Sequence, residues 1–109
     1  MNNYKNKTIL ITGASSGIGE AFANTLDSLG AKLILTARSE DKLNKMAKKM
    51  NNAIVISGDL SDQKFPKELY KQVKKNNLNV DILINNAGFG FSGLFLDSSI
   101  ENYKDMLNV

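Results

Sequence analysis

Residues 12–19 read Thr12-Gly13-Ala14-Ser15-Ser16-Gly17-Ile18-Gly19 and follow directly on a short apolar run. Gly13 would let the chain turn sharply as it leaves a strand, and Gly17 would let the backbone approach a pyrophosphate with no Cβ in the way. Gly19 would let the next helix pack close to the strand. A helix that begins near Gly17 directs its unpaired N–H groups at phosphates, so the stretch predicts an anion-binding turn.

Two related phosphate-binding motifs do not fit this stretch. A strict G-x-G-x-x-G is absent because Phe22 stands where the last glycine would be, and no Gly-Lys-Ser/Thr follows as a P-loop requires. The hydroxyls of Thr12, Ser15 and Ser16 can bond phosphate oxygens or the loop itself. The alternative is a glycine-rich turn between a strand and a helix that binds nothing.

Short apolar runs alternate along the chain with longer amphipathic stretches. The runs are rich in Ile, Leu or Val and predict strands buried on both faces of a parallel sheet, at residues 7–12, 32–36, 53–57 and 80–84. The intervening stretches predict helices at residues 17–29, 39–50 and 61–76, and another begins within 98–109. Right-handed crossovers then give an open α/β, Rossmann-like, doubly wound parallel sheet with strand order 3-2-1-4.

Local signals refine these helices. Helical periodicity places four apolar residues on one face of the first helix: Ile18, Phe22, Leu26 and Leu29. Gly30 is a stop signal after them. Ser39 can cap the second helix, and Pro66 suits the first turn of the third, where its missing N–H matters least.

Composition excludes several classes of site. The chain has 109 residues, 42% of them hydrophobic, and a formal charge of +3, which suits one small globular domain. The lysines are spread along the chain and no nucleic-acid motif accompanies them, so no nucleic-acid partner is predicted. The absence of Cys and His removes disulfides, thiolate catalysis and the commonest metal ligands, and no metal site is predicted. No membrane span or signal sequence is apparent, so a cytoplasmic location is expected.

Arg38 is the one arginine of the sequence and follows the second strand. A carboxylate near the end of this strand would bind the free ribose hydroxyls of NAD, but Ala37 stands there instead. Arg38 can pair with a 2′-phosphate, which favours NADP(H) over NAD(H). The alternative is a solvent-facing arginine at the start of a helix.

Polar and small residues follow the third and fourth strands. Asp59, followed by Leu60, can accept a hydrogen bond from the adenine amino group, although it could instead cap the next helix. Small residues and side-chain amides at Asn85-Asn86-Ala87-Gly88 would leave room for a cofactor and tie neighbouring loops together.

Together these residues resemble the short-chain dehydrogenase/reductase family, of the classical type. The matching elements are the Thr12-to-Gly19 glycine spacing, Asp59, residues 85–88 and Asn108-Val109. The resemblance covers the whole chain, whereas the chain covers less than half of a typical member. It implies that residues 1–109 are a partial NAD(P)-binding Rossmann domain. The longer parent would be a homo-oligomeric oxidoreductase that moves hydride between NADP(H) and a small-molecule alcohol or carbonyl substrate.

The resemblance also implies where the chemistry resides. Family members use a Tyr as acid/base, a Lys in the pattern Y-x-x-x-K, a Ser and an Asn, and Asn108 looks like that Asn. The Ser, Tyr and Lys are expected beyond Val109, so the chain as given should be inactive. Tyr70 and Lys74 also fit Y-x-x-x-K, but they precede the fourth strand and are interpreted as packing and surface residues.

Several alternatives stay open at this point. The segment 88–95 could line a substrate pocket or simply pack against other parts of the parent. The chain could be a non-catalytic nucleotide-sensing module, or a Rossmann-type methyltransferase, although a methyl donor leaves Arg38 unexplained. The strand at 80–84 would form an unpaired apolar edge, which predicts poor solubility or self-association.

Overall fold

The structure of the chain is a computed structural model, and it describes residues 3–59 and 61–86. Strands and helices alternate in the predicted order: β1 (Thr8–Thr12), α1 (Gly17–Ser28), β2 (Lys32–Thr36), α2 (Glu40–Lys48), β3 (Ala53–Val55), α3 (Phe65–Lys75) and β4 (Ile82–Asn85). The predicted α/β class is confirmed. The predicted helix at 98–109 and the segment 88–95 lie outside the described residues.

The four described strands form one parallel sheet in the order β3-β2-β1-β4, as predicted. Strand β1 pairs with both β2 and β4, and all five of its residues are buried. This double coverage explains its uninterrupted apolar sequence. The chain builds outward from β1 through β2 to β3 and then returns to the other side of β1. The carboxyl end of β1 therefore lies at the switch point where this architecture binds ligands.

Alternate residues of each strand supply two separate cores. Ile9 and Ile11 of β1 join the cluster beneath α1 and α2, together with Leu43 of α2. Leu10, between them in sequence, joins the opposite cluster with Leu69 of α3. The sheet is thus covered by helices on both faces, which fixes the carboxyl ends of its strands relative to one another.

Several element boundaries differ from those predicted. Helix α3 begins at Phe65 rather than at 61, because the carboxylates of Asp59 and Asp62 accept hydrogen bonds from the backbone N–H groups of Ser61 and Lys64 and hold the chain in turns. Pro66 lies in the first turn, as predicted.

Two strand bounds also differ from those predicted. Strand β3 is shorter than predicted, although the Ile56 N–H still donates to Leu35 O beyond its end. Strand β4 begins later than predicted, because the Asp81 carboxylate accepts from the Thr8 N–H at 2.9 Å. Ser39 occupies the cap position of α2, but its side chain makes no cap hydrogen bond.

The apolar face predicted for α1 packs on the sheet only in part: Leu26 is buried and Leu29 packs against the core, whereas Ile18 and Phe22 do not. Gly19, Ala23 and Leu26 are the buried residues of this helix, whereas Ile18 and Phe22 are 66% and 46% exposed. Small residues at 19 and 23 let the helix lie close to the strand, and this close approach turns the larger side chains outward. Periodicity identified an apolar face but not the face with the closest packing.

Candidate functional site

The glycine loop joins β1 to α1 at the carboxyl edge of the sheet. Gly13 has φ +63°, a left-handed conformation that glycine adopts without strain, and it turns the chain out of the strand. Ser16 then takes an extended conformation at the cap position, where its Oγ accepts from the Gly19 N–H at 3.1 Å. The predicted strand-to-helix turn is therefore present.

Gly19 and Gly17 occupy opposite environments. A Cβ added at Gly19 would lie 2.2 Å from Gly13 O, so close packing of α1 against the loop requires glycine there. A Cβ at Gly17 would meet no atom of the described residues within 4 Å. The protein's own packing does not require glycine at position 17, which leaves that space open to a ligand.

Two hydroxyls of the loop are directed at protein partners. Thr12 Oγ1, completely buried, donates to Asn85 Oδ1 at 3.0 Å and thereby joins the ends of β1 and β4. Ser16 Oγ donates to Gly13 O at 2.9 Å. These side chains shape the loop. Hydrogen bonds within the protein therefore account for the orientation of both hydroxyls, and the predicted direct contact with a cofactor stays a prediction.

Asn86 ties the end of β4 to the glycine loop. Its Nδ2 donates to Gly13 O at 3.1 Å and to Ser16 Oγ at 2.8 Å. Together with the Thr12–Asn85 bond, these hydrogen bonds link residues 85 and 86 to the turn across 70 to 73 positions of sequence.

Backbone N–H groups of the loop divide into two sets. Those of Ala14, Ser16 and Gly19 donate within the protein, to Thr36 O, Gly13 O and Ser16 Oγ respectively. Within residues 3–59 and 61–86, the structure gives no acceptor for the N–H groups of Ser15, Gly17 and Ile18. Unpaired N–H groups at the start of a twelve-residue helix form a site for an anion.

Arg38 and Asp59 follow neighbouring strands at the same edge of the sheet. Arg38 is exposed and Ala37 before it is buried. Asp59 Oδ1 accepts from the Ser61 hydroxyl at 2.6 Å and from the Ser61 N–H at 2.9 Å. Because α3 begins only at Phe65, with Lys64 in its cap position, Asp59 does not cap that helix.

Electrostatics keep Asp59 ionised. The hydrogen bonds from the Ser61 side chain and backbone, and to a lesser degree the positive charge of Arg38, hold the pKa of Asp59 below its ordinary value of 3.8. Partial desolvation opposes this shift without reversing it. Asp59 is therefore an ionised hydrogen-bond acceptor at neutral pH.

Sequence reasoning missed two features of this edge. Ser57 Oγ donates to Glu40 Oε2 at 2.8 Å and joins the segment after β3 to the start of α2. Thr36, the register partner of Thr12, has a fully buried Oγ1 with no hydrogen-bond partner in the described part of the chain. No motif signals either one, because the Ser57–Glu40 bond depends on how α2 packs against the sheet and the Thr36 position depends on the register of β1 and β2.

Four predicted site residues lie outside the described residues: Leu60, Ala87, Gly88 and Asn108. The Y-x-x-x-K pair lies on α3, as predicted. Tyr70 is partly buried and packs against the core, while Lys74 is exposed with Nζ 5.7 Å from the centre of the Tyr70 ring. Neither residue belongs to the glycine-loop site.

No helix in the described ranges has both the length and the apolar character needed to cross a membrane.

The fold and the glycine loop define a Rossmann-like nucleotide-binding type of domain, and comparison with known proteins gives its family. The family model described as short chain dehydrogenase matches residues 7–109, and the chain belongs to that family. It is 36% identical over its whole length to an uncharacterized oxidoreductase of Staphylococcus epidermidis, covering 48% of it. It is 38% identical to one of Staphylococcus saprophyticus, covering 45%. The chain thus spans about half the length of these curated relatives.

Solved structures show the same relationship. The L-sorbose reductase from Gluconobacter frateurii, complexed with NADPH and L-sorbose, is 30% identical with a TM-score of 0.74. The match covers 82% of this chain and 36% of that one. An NADPH dependent reductase involved in bacilysin biosynthesis is 28% identical with a TM-score of 0.71, over 75% of this chain and 35% of that one. The short-chain dehydrogenase/reductase resemblance is confirmed, and the methyltransferase and sensor alternatives gain no support.

Proposed function

We propose that this chain binds NADP(H) at the carboxyl edge of its sheet, with the pyrophosphate at the glycine loop. The observation that carries this proposal is the set of N–H groups on Ser15, Gly17 and Ile18 that have no acceptor among the described residues, beside the open space at Gly17. The helix dipole of α1 adds a positive field at the same point. Because the chain belongs to the short chain dehydrogenase family, the anion that we expect at this loop is the pyrophosphate of a dinucleotide.

Arg38 supports the preference for NADP(H) over NAD(H). Its exposed guanidinium follows β2, and Ala37 leaves no carboxylate to repel a 2′-phosphate from that position. Asp59 would accept from the adenine amino group through Oδ2, since Oδ1 is already bonded to Ser61. Two of the similar solved proteins are named for NADPH.

The parent activity that follows is hydride transfer between NADP(H) and an alcohol or carbonyl substrate. Asn108 is the predicted catalytic residue within this sequence, and Leu60, Ala87 and Gly88 complete the predicted cofactor contacts. The Tyr70–Lys74 pair lies on a flanking helix, so these 109 residues are expected to bind the cofactor without completing the reaction. A cytoplasmic, homo-oligomeric parent enzyme is part of the same proposal.

The test is titration of the purified chain with NADPH and NADH, following nucleotide fluorescence. Wild type should bind NADPH more tightly, and Arg38→Ala should weaken NADPH binding by about tenfold or more while leaving NADH binding nearly unchanged, because a charge-assisted bond to the 2′-phosphate is lost. Lys42→Ala, which removes an exposed cation from α2, is the matched control.

Either of two results contradicts this proposal. If a folded wild-type chain binds neither nucleotide, the glycine loop is not a sufficient cofactor site. If Arg38→Ala weakens NADPH and NADH binding equally, or if Lys42→Ala has the same effect as Arg38→Ala, the 2′-phosphate assignment is wrong.

A further inference from the structure

The Ser16 hydroxyl uses its full hydrogen-bonding capacity within the protein. A hydroxyl has one proton and two acceptor positions. The proton goes to Gly13 O at 2.9 Å, and the two acceptor positions face the Gly19 N–H at 3.1 Å and the Asn86 amide at 2.8 Å. This hydroxyl cannot donate to a phosphate without giving up the bond to Gly13.

Asn86 holds both ends of the turn at once. Its Nδ2 donates to Gly13 O, where the chain leaves β1, and to Ser16 Oγ, where α1 begins. Gly13 O also accepts from the Ser16 N–H at 3.1 Å. The partly buried Asn86 follows β4, which pairs with β1 in fixed register. A rigid strand outside the loop therefore holds the Asn86 side chain in place.

We infer that Asn86 is a positioning residue for dinucleotide binding, and that it acts through Ser16 rather than by touching the phosphates. The Asn86 bonds to Gly13 O and Ser16 Oγ form a clamp in which the polar groups on the inside of the loop bond to one another. The N–H groups of Ser15, Gly17 and Ile18 then remain for the ligand. This inference rests on the proposed cofactor function. It adds that the loop is shaped before the ligand arrives, and a preformed loop avoids the ordering cost of binding.

The experiment compares Asn86→Ala, Ser16→Ala, the double variant and Ser16→Thr. Asn86→Ala should weaken NADPH and NADH binding by the same factor, about tenfold, because the pair of hydrogen bonds that holds the pyrophosphate-binding loop is lost and nothing changes at the 2′-phosphate. The double variant should be little worse than either single one, because the two side chains act as a unit. Ser16→Thr keeps the hydroxyl and should restore binding.

Asn76→Ala is the matched control, because it removes a side-chain amide that donates to Gln72 O at 2.7 Å, at the end of α3. Amide hydrogen exchange at Gly19 is measured in the same variants without nucleotide. Asn86→Ala should speed that exchange, since Gly19 N–H depends on the Ser16 hydroxyl, and Asn76→Ala should not.

The outcomes separate the two claims. Binding of neither dinucleotide by wild type overturns the proposed function, while faster Gly19 exchange in Asn86→Ala would still support the clamp. Unchanged Gly19 exchange in Asn86→Ala overturns the positioning role, as do multiplicative losses in the double variant or a changed NADPH-to-NADH ratio.

Discussion

Gly19 shows how one missing Cβ allows a helix to sit against a turn. An alanine Cβ would lie 2.2 Å from Gly13 O and 2.9 Å from Ala14 Cα, and both contacts are to backbone. We expect Gly19→Ala to lower the free energy of unfolding by about 1–3 kcal/mol, because the overpacking outweighs the better helix propensity of alanine. Urea unfolding followed by circular dichroism measures the change.

Gly17→Ala is the matched control for that prediction. No atom in the part of the chain that the structure describes lies within 4 Å of its added Cβ, so its free energy of unfolding should change by less than about 1 kcal/mol. Dinucleotide binding should nevertheless weaken, because the new methyl group enters the space assigned to the pyrophosphate. Equal stability of the two alanine variants would show that the loop is looser than its geometry indicates.

Asp59 gives a prediction about pH. The Ser61 hydroxyl is the largest cause of its lowered pKa, so Ser61→Ala should raise the pKa of Asp59 toward its ordinary value of 3.8. Carboxyl-carbon NMR titration measures this directly. An unchanged pKa in Ser61→Ala would assign the shift to the backbone bond and to Arg38 instead.

The consequence for stability follows from the direction of that shift. A carboxyl group whose pKa is lowered on folding stabilises the folded state above its unfolded pKa, and this contribution is lost as the pH falls through the folded value. Asp59 should therefore contribute fully at neutral pH and lose its effect only below about pH 3.8. A stability difference between wild type and Asp59→Asn that already shrank between pH 7 and 5 would contradict this.

The strands contribute a pair of buried threonines in matched positions. Thr12 of β1 and Thr36 of β2 are register partners and both are fully buried, but Thr12 Oγ1 donates to Asn85 Oδ1 whereas Thr36 Oγ1 has no partner in the described ranges. We expect Thr12→Val to cost about 1–2 kcal/mol in the free energy of unfolding, because it deprives Asn85 of a buried donor. Thr36→Val should be neutral or stabilising by up to about 1 kcal/mol.

Thermal and urea unfolding of these two variants supply the measurement. Each substitution exchanges a hydroxyl for a methyl group in a strand, so differences in side-chain volume and strand preference cancel in the comparison. If both variants lost the same stability, the bond that joins the ends of β1 and β4 would contribute nothing specific.

Helix α1 shows what a sequence pattern leaves undetermined. Apolar periodicity predicts one face with Ile18, Phe22, Leu26 and Leu29. The structure packs the last two against the core, but it exposes Ile18 and Phe22 and buries Gly19 and Ala23 in their stead. Periodicity records which residues are apolar, but the helix turns its small residues to the sheet because they allow the closest approach. The sequence predicts the start of α3 four residues too early, because Asp is a residue type that both begins helices and forms turns. Here Asp59 and Asp62 form turns, and the helix begins at Phe65.

At the scale of the molecule, the topology could be predicted because it follows from general rules. Alternating strands and helices with right-handed crossovers allow few arrangements, and strand order 3-2-1-4 is the one observed. The glycine loop was equally predictable because its function lies in consecutive residues. The Asn86–Ser16 bond was not, because it joins residues 70 positions apart and exists only once β1 and β4 are in register.

The outward side of α1 leads to a prediction about association. Ile18 and Phe22 are exposed there, and Ile82 and Ile84 of β4, an edge strand of the described sheet, are only partly buried in the cluster beneath α1. Exposed apolar side chains on a helix favour contact with a second copy, and so does an edge strand of a sheet. We expect the chain to self-associate as its concentration rises, and Phe22→Ser to weaken that association in sedimentation velocity.

Stability measurements distinguish this surface effect from unfolding. Phe22→Ser should change the free energy of unfolding by less than about 1 kcal/mol, because the side chain is already 46% exposed. Leu26→Ala, at a position only 6% exposed on the same helix, should cost about 2–5 kcal/mol. A chain that stays monomeric at every concentration, or a Phe22→Ser variant that associates as strongly as wild type, would show that this face of α1 does not mediate contact between copies.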